Sequence, residues 1–251
     1  MAGAGTRPVG ATVRLAIEAT ARWTRSNTNL GIVLLLAPLA HAVVVSDPRG
    51  QTPLHGDSGL RDELRKVLDA TTVDDAREVY AAIRLAAPGR LGQVENQDVA
   101  TEPTMTLLEV MRLAAHRDGI AREYATAFET TFETAVPALQ CARRDELSWD
   151  DAIVETFLGV VAATPDTHIA RRGGAATAED VSRRAAAALA AGGVRSTPGR
   201  QAIDALDRAL RDARNITNPG TAADLTAAAI FVVLLEGGSP GMHGGRHAAT
   251  R

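Results

Sequence analysis

Four stretches of this chain concentrate amide, carboxylate, hydroxyl and guanidinium side chains without a helical or strand period: Asn27–Gly31, Asp98–Glu102, Asp166–Gly174 and Asn215–Asp224. Groups of these types bind phosphate and magnesium. Asp166-Thr167-His168-Ile169-Ala170-Arg171-Arg172 places a carboxylate, an imidazole and two guanidinium groups within one short segment; a solvated loop would have the same composition. In Asn218-Pro219-Gly220-Thr221, the proline and glycine precede a helix and leave backbone N–H groups to face an anion. Asp224 follows one turn later, where its charge also suits the helix N-terminus. Asp98 and Glu102 are spaced to share a Mg²⁺, which prefers one or two carboxylates plus substrate phosphates, or to cap the helix starting near Thr106.

The elements that must position these groups are helical throughout. Leu30–Val45 is apolar on every side, so it reads as a helix inside a core, and Asn27-Thr28-Asn29 lies at its N-terminal end. Ala222–Leu235 is a second such helix, expected to stop at Gly237-Gly238. Amphipathic helices are predicted over Val9–Ser26, Leu60–Ala70 and Val73–Ala86, the last opened by a Thr72/Asp75 capping box. Residues 89–104 read as a loop, and Thr106–Arg144 as helical with breaks at Asp118-Gly119 and Pro137. Ser148 and Asp151 are expected to cap a helix to Ala163, with Thr164–Gly174 a polar loop. Thr177 and Asp180 then cap an Ala-rich helix to Ala191, and Pro198 opens another to Arg214. The expectation is an all-α, single-domain bundle of about nine or ten helices around two very apolar central helices. That domain spans 9–238, between a disordered N-terminus, 1–8, and a disordered tail, 239–251.

Composition narrows the function classes. The 251 residues carry a net charge of −3, which argues against nucleic acid as the main partner. Aromatics are only 3%, so Ala, Leu, Val and Ile must build the core. Lys66 is the only lysine, which coding bias explains more simply than selection for phosphate contacts. Cys141 is alone, which removes a disulfide framework and sets a reducing, cytoplasmic location as the default. The apolar run at 30–45 imitates a signal-peptide core but follows too long a leader containing Glu18. With Pro38 and His41 inside it, the run is also short for a membrane span. His41 reads as a satisfied core histidine, and His243 and His247 as incidental to a glycine-rich tail.

The ordered set of four stretches resembles the triphosphoribosyl-dephospho-CoA synthase family, and most closely its archaeal and methylotroph branch. The resemblance is carried by Asn27-Thr28-Asn29-Leu30-Gly31 with the apolar run to Leu39, by Asp98-Val99 with Glu102-Pro103, by Pro165–Arg171, and by Asn218–Thr221 with Ala223–Ala227. It implies an all-α fold and an ATP-dependent transferase that joins the ribose of ATP to the 2′-hydroxyl of 3′-dephospho-CoA, releasing adenine and keeping the triphosphate. It further implies Asp166, Asp224 and His168 as catalytic candidates and Asp98, Glu102 and Asp166 as Mg²⁺ ligands. Asn27, Thr28, Asn29, Gly31, Arg171, Asn218, Gly220 and Thr221 become nucleotide contacts. ATP and dephospho-CoA, or a related small-molecule acceptor, are the expected partners, and the oligomeric state is left open. The alternatives are a family member acting on another acceptor in a different cofactor pathway, such as one-carbon carrier biosynthesis, or a non-catalytic nucleotide-binding homologue. Family members carry a segment of several dozen residues before the first helix, with a Lys-Pro-Gly-Asn-Val-His-like motif. This chain begins Met-Ala-Gly-Ala-Gly-Thr, so the resemblance implies either a start codon assigned too late or a shortened member lacking part of the nucleotide site.

Overall fold

A computed structural model describes residues 4–24, 29–46, 57–86, 99–211 and 215–235. Among these residues the secondary structure is entirely helical, in twelve α-helices with two short 3₁₀ turns and one π-turn. The all-α expectation holds, and the count exceeds nine or ten because two expected continuous or loop regions resolve into further helices. The helices are α1 (Val9–Ala21), α2 (Leu30–Ser46), α3 (Asp57–Asp69), α4 (Val73–Ala86), α5 (Leu107–Ala114) and α6 (Gly119–Thr126). A π-turn at Thr131–Ala135 leads into α7 (Val136–Arg144), followed by α8 (Trp149–Ala163), α9 (Thr167–Gly173), α10 (Ala175–Ala190), α11 (Thr197–Leu210) and α12 (Gly220–Leu235).

The two apolar helices sit where an all-round hydrophobic helix must sit. α12 packs against α2, α7, α8 and the π-turn, while α2 packs against α1, α3 and α12. One continuous apolar core runs from Val9 to Val233, built largely of Ala, Val and Leu. With few aromatics to fill space, helices approach closely, as where Gly10 of α1 lies against the Asp75 backbone of α4. Asp75 is buried and accepts hydrogen bonds from Gly10 N–H at 2.8 Å and Thr72 N–H at 2.8 Å, so the expected capping box also ties α4 to α1.

Several boundaries differ from the sequence reading for local reasons. The Ser148 cap is present, with the Asp151 N–H donating to Ser148 Oγ at 3.1 Å, and α8 ends at Ala163. Thr177 does not cap α10: the helix starts two residues earlier, after Gly174 at φ +90°, and the Thr177 hydroxyl donates to Gly173 O. Pro137 does not interrupt its segment, because it occupies the first turn of α7, where a proline is tolerated. The real interruption is at Ala127 and Phe128, both at positive φ. Fully buried Glu123 holds that turn by accepting from Thr130 N–H at 3.0 Å and from Thr131 N–H at 2.9 Å. Burial pushes the Glu123 carboxyl up, against the Thr131 and Thr130 hydrogen bonds that pull it down. Residues 4–6, expected to be frayed, form a 3₁₀ turn packed on Val44. The tail 239–251 and the helix stop at Gly237-Gly238 lie outside the described residues.

α2 continues through Pro38, which has no N–H for the Leu34 carbonyl one turn back. The buried Tyr124 hydroxyl of α6 supplies the missing donor, 2.7 Å from Leu34 O. Tyr124→Phe is therefore expected to cost roughly 1–3 kcal/mol in denaturant unfolding, the cost of a buried carbonyl left unpaired. In a Pro38→Ala background, where residue 38 can donate again, the same change is expected to cost less; equal costs in both backgrounds would refute the pairing.

Candidate active site

Four helices begin at one place. α6 opens at Gly119, α9 at Thr167, α12 at Gly220 and α2 at Leu30, and side chains link these ends directly. The segment expected to be a loop, Asp166–Gly174, is mostly helix because Asp166 caps it: Asp166 Oδ1 accepts from His168 N–H at 2.8 Å and Ile169 N–H at 3.1 Å. The other oxygen, Oδ2, accepts from Ala222 N–H in the first turn of α12 at 2.8 Å, so one carboxylate binds two helix ends. Thr167 Oγ1 accepts from Gly119 N–H at 2.9 Å and lies 3.1 Å from Thr221 Oγ1, adding α6 to the junction. Asp118 caps α6 by accepting from Ala121 N–H at 3.0 Å, and its second oxygen pairs with Arg171 Nη1.

The fourth end, that of α2, is joined by Asp224, which accepts a hydrogen bond from the Ile32 backbone. A Cβ at position 31 would lie 1.9 Å from Asp224 Oδ2, so a side chain there would displace the Asp224 carboxylate. Each N-terminus carries unpaired N–H groups and the positive end of a helix dipole, so carboxylates are the natural partners for a cluster of such ends.

The price of this clustering is electrostatic. Burial pushes Asp224 up to about 7, reinforced by the charges of Asp166 and Asp118 and opposed by the Ile32 hydrogen bond. Burial also pushes Asp166 up, with the N–H groups of Ala222, Ile169 and His168 and the nearby Arg171 pulling it down. On the cationic side, His168 is held below the ordinary imidazole value by burial and by Arg171 and Arg172, with Asp118 opposing. Arg172 Nη1 lies 3.2 Å from His168 Nε2. A guanidinium can only donate, so Nε2 accepts and the ring proton belongs on Nδ1, which lies against Gly220. Beside the junction, a small cleft is lined by Arg122, Thr130, Thr164, Asp166, Thr167 and Thr221.

The structure thus brings together Asp166, Asp224, His168, Arg171, Gly31, Gly220 and Thr221. Asn218 enters through its carbonyl, which accepts from Gly220 N–H at 2.8 Å. Asn29 turns elsewhere, its amide donating to Thr20 Oγ1 at 2.9 Å and tying the end of α1 to the start of α2. Glu102 is exposed and pairs with Arg77 at 3.5 Å rather than joining Asp166. Asn27, Thr28 and Asp98 lie outside the described residues. Among the described residues no group of three or more His, Cys, Asp or Glu side chains is arranged to hold a metal ion. Each Asp166 oxygen accepts at least one backbone N–H and Glu102 lies with Arg77, so the described residues do not bring the expected magnesium carboxylates together. Asp118 was missed as a site residue, although its Asp-Gly step marked a break in the helical pattern. His41, expected to be satisfied, has a buried Nδ1 with no hydrogen-bond partner among the described residues.

Comparison with known proteins finds relatives of the chain and of its fold. Residues 1–241 match the CitG family model, ATP:dephospho-CoA triphosphoribosyl transferase. A solved structure from Archaeoglobus fulgidus, of a candidate triphosphoribosyl-dephospho-CoA synthase, superposes with a TM-score of 0.70 at 26% identity, covering 94% of this chain and 93% of that one. A candidate 2-(5″-triphosphoribosyl)-3′-dephosphocoenzyme-A synthase of Pseudomonas savastanoi is 33% identical over 64% of this chain and 54% of its own length. The 2-(5″-triphosphoribosyl)-3′-dephosphocoenzyme-A synthase of Klebsiella pneumoniae is 34% identical over 45% of this chain and 40% of its own. The chain therefore spans about half the length, or less, of the curated relatives it matches.

Two outcomes test the electrostatics. Asp224 is raised in the folded state, so its contribution to stability is complete below the ordinary aspartate range and is lost as pH climbs through about 7. Asp224→Asn, which keeps an acceptor for Ile32, is expected to melt roughly 5 °C higher than wild type at pH 8, with the gap closing towards pH 4. Asp166→Asn must turn an NH₂ towards a backbone N–H and is expected to lose roughly 1–3 kcal/mol at neutral pH in denaturant titration.

Proposed function

Because the chain belongs to the ATP:dephospho-CoA triphosphoribosyl transferase family, we propose that it transfers the triphosphoribosyl group of ATP to the 2′-hydroxyl of 3′-dephospho-CoA and releases adenine. The observation that carries this reading is the junction of four helix N-termini. It sets Asp224, pushed up to about 7, near Asp166 and Asp118, with Arg171 held on Asp118 and Arg172 against His168 at the same junction.

The chemistry requires cleavage of the bond between the ribose anomeric carbon and adenine, and formation of a bond from that carbon to the acceptor oxygen. Positive charge develops on the ribose as adenine leaves, and the Asp166 and Asp224 carboxylates supply the compensating field. The acceptor hydroxyl must lose its proton as it attacks. A carboxylate poised near neutrality is suited to take it, which assigns Asp224 as the general base. Adenine departs with a proton, so the overall exchange moves one proton from acceptor to leaving group. The triphosphate is not cleaved and needs holding: Arg171 and Arg172 supply part of the countercharge in forked, multi-donor form. Neutral His168 offers Nδ1–H as a hydrogen-bond donor to a phosphate or ribose oxygen. Magnesium enters as the counter-ion of ATP, and none of these steps runs through it.

The acceptor is tested directly. Wild-type protein incubated with ATP, Mg²⁺ and dephospho-CoA is expected to release adenine, and to release none without dephospho-CoA. Release only with another hydroxyl acceptor would reassign the substrate, and an absence of both release and ATP binding would refute the transferase. Asp224→Asn is expected to lower kcat about 10²–10⁴-fold, the usual worth of a general base, while keeping the helical circular dichroism of wild type.

A further inference from the structure

Asp118 has two oxygens with two separate duties. Oδ1 caps α6 through Ala121 N–H at 3.0 Å, while Oδ2 takes Nη1 of Arg171. Its position is fixed from both sides, because the next residue, Gly119, donates to Thr167 Oγ1 at 2.9 Å and lies against the Thr221 methyl. A carboxylate anchored in this way is a rigid post. Arg171 is anchored less firmly, on the last turn of the seven-residue helix α9. Both partners are about three-quarters buried, each side chain 25% exposed, so the pair is better shielded from solvent than the exposed ion pairs of the outer helices.

The pair uses one terminal nitrogen of the guanidinium. A fork of five N–H donors held at Nη1 retains the geometry to meet a second anion with its remaining edge. Ordering a long arginine side chain before a ligand arrives removes part of the entropy cost of binding it. We propose that Asp118 is a positioning residue of the nucleotide site: it holds Arg171 at the helix junction so that the guanidinium meets the triphosphate already oriented. The inference rests on the ATP reading above and adds a residue to it. Asp118 touches neither reacting atom and acts through Arg171.

Asn at 118 separates the two duties, since an amide oxygen still caps α6 but does not hold a guanidinium by charge. The probe is inorganic tripolyphosphate, titrated calorimetrically into wild type, Asp118→Asn, Arg171→Gln and the double variant. Asp118→Asn is expected to weaken binding about tenfold. Its melting temperature should stay near that of wild type, and the catalytic loss should fall on KM for ATP rather than on kcat. The double variant should bind no more weakly than Arg171→Gln alone, because the aspartate works through that arginine. Wild-type affinity in Asp118→Asn, or losses that add in the double variant, would overturn the inference while leaving the ATP reading standing. A wild-type protein that binds no tripolyphosphate and releases no adenine would remove both together. Should Asp118→Asn fold poorly, Arg171→Gln probes the same link from its other end, and unchanged binding there refutes it equally.

Discussion

Everything in the site depends on one electrostatic constraint: four helix N-termini share a small volume, and their N–H groups and dipole ends need anionic partners there. Asp118, Asp166 and Asp224 supply them, and Asp166 serves two ends at once. The carboxylates that make the junction possible then repel each other. Asp224, which accepts from the Ile32 backbone, is pushed up to about 7 first by its burial and further by the two neighbouring acids. A group able to accept a proton near physiological pH is thus a by-product of how the helices are fastened.

The core is arranged to permit this convergence. Small residues let helices approach: Gly10 leaves no room for a Cβ against the Asp75 backbone, and Gly31 lies against the Asp224 carboxylate. Where a helix would lose a hydrogen bond to proline, the neighbouring α6 provides one through Tyr124. Arg61 fastens the other end of α6, its Nε donating to Ala127 O at 2.8 Å beyond the left-handed turn. α6 is therefore held at its start by Asp118 and Gly119, in its middle by Tyr124 and at its end by Arg61. That is the support a helix needs if the residue capping it, Asp118, is to present a fixed carboxylate.

Stability and function pull against each other here in a way the charges make explicit. Two buried carboxylates with raised proton affinity cost folding free energy at neutral pH, and the cost is offset by helix-end hydrogen bonds and by Arg171. The cationic side is similarly balanced: His168 is kept neutral by two arginines and by burial, which prevents a third positive charge from adding to Arg171 and Arg172. Acid groups and hydrogen-bond donors together suit the proposed transfer, in which a ribose gains positive charge while phosphates remain anionic.

Much of this was legible in the residues themselves. The two helices without a polar face had to be central, because no amphipathic arrangement can solvate Leu30–Val45 or Ala222–Leu235. The capping box at Thr72 and the Ser148 cap are local chemistry and appear where their spacing puts them. The order of the four polar stretches carried the family resemblance, and the resemblance, not composition, implied a transferase. The roles inside those stretches depended on contacts between residues far apart in the chain. Asp166 looked like a metal ligand in a loop, yet its oxygens are taken by backbone N–H groups of two helices, one of them 56 positions away. Glu102, close to Asp98 in sequence, faces Arg77 instead. Asp118 appeared only as a break between helices, and nothing local revealed that Arg171 would reach it across 53 residues. Periodicity and capping act over a few residues and therefore determined the helices; which helix ends meet, and so which carboxylate is spent on structure and which remains for chemistry, was decided only by tertiary packing.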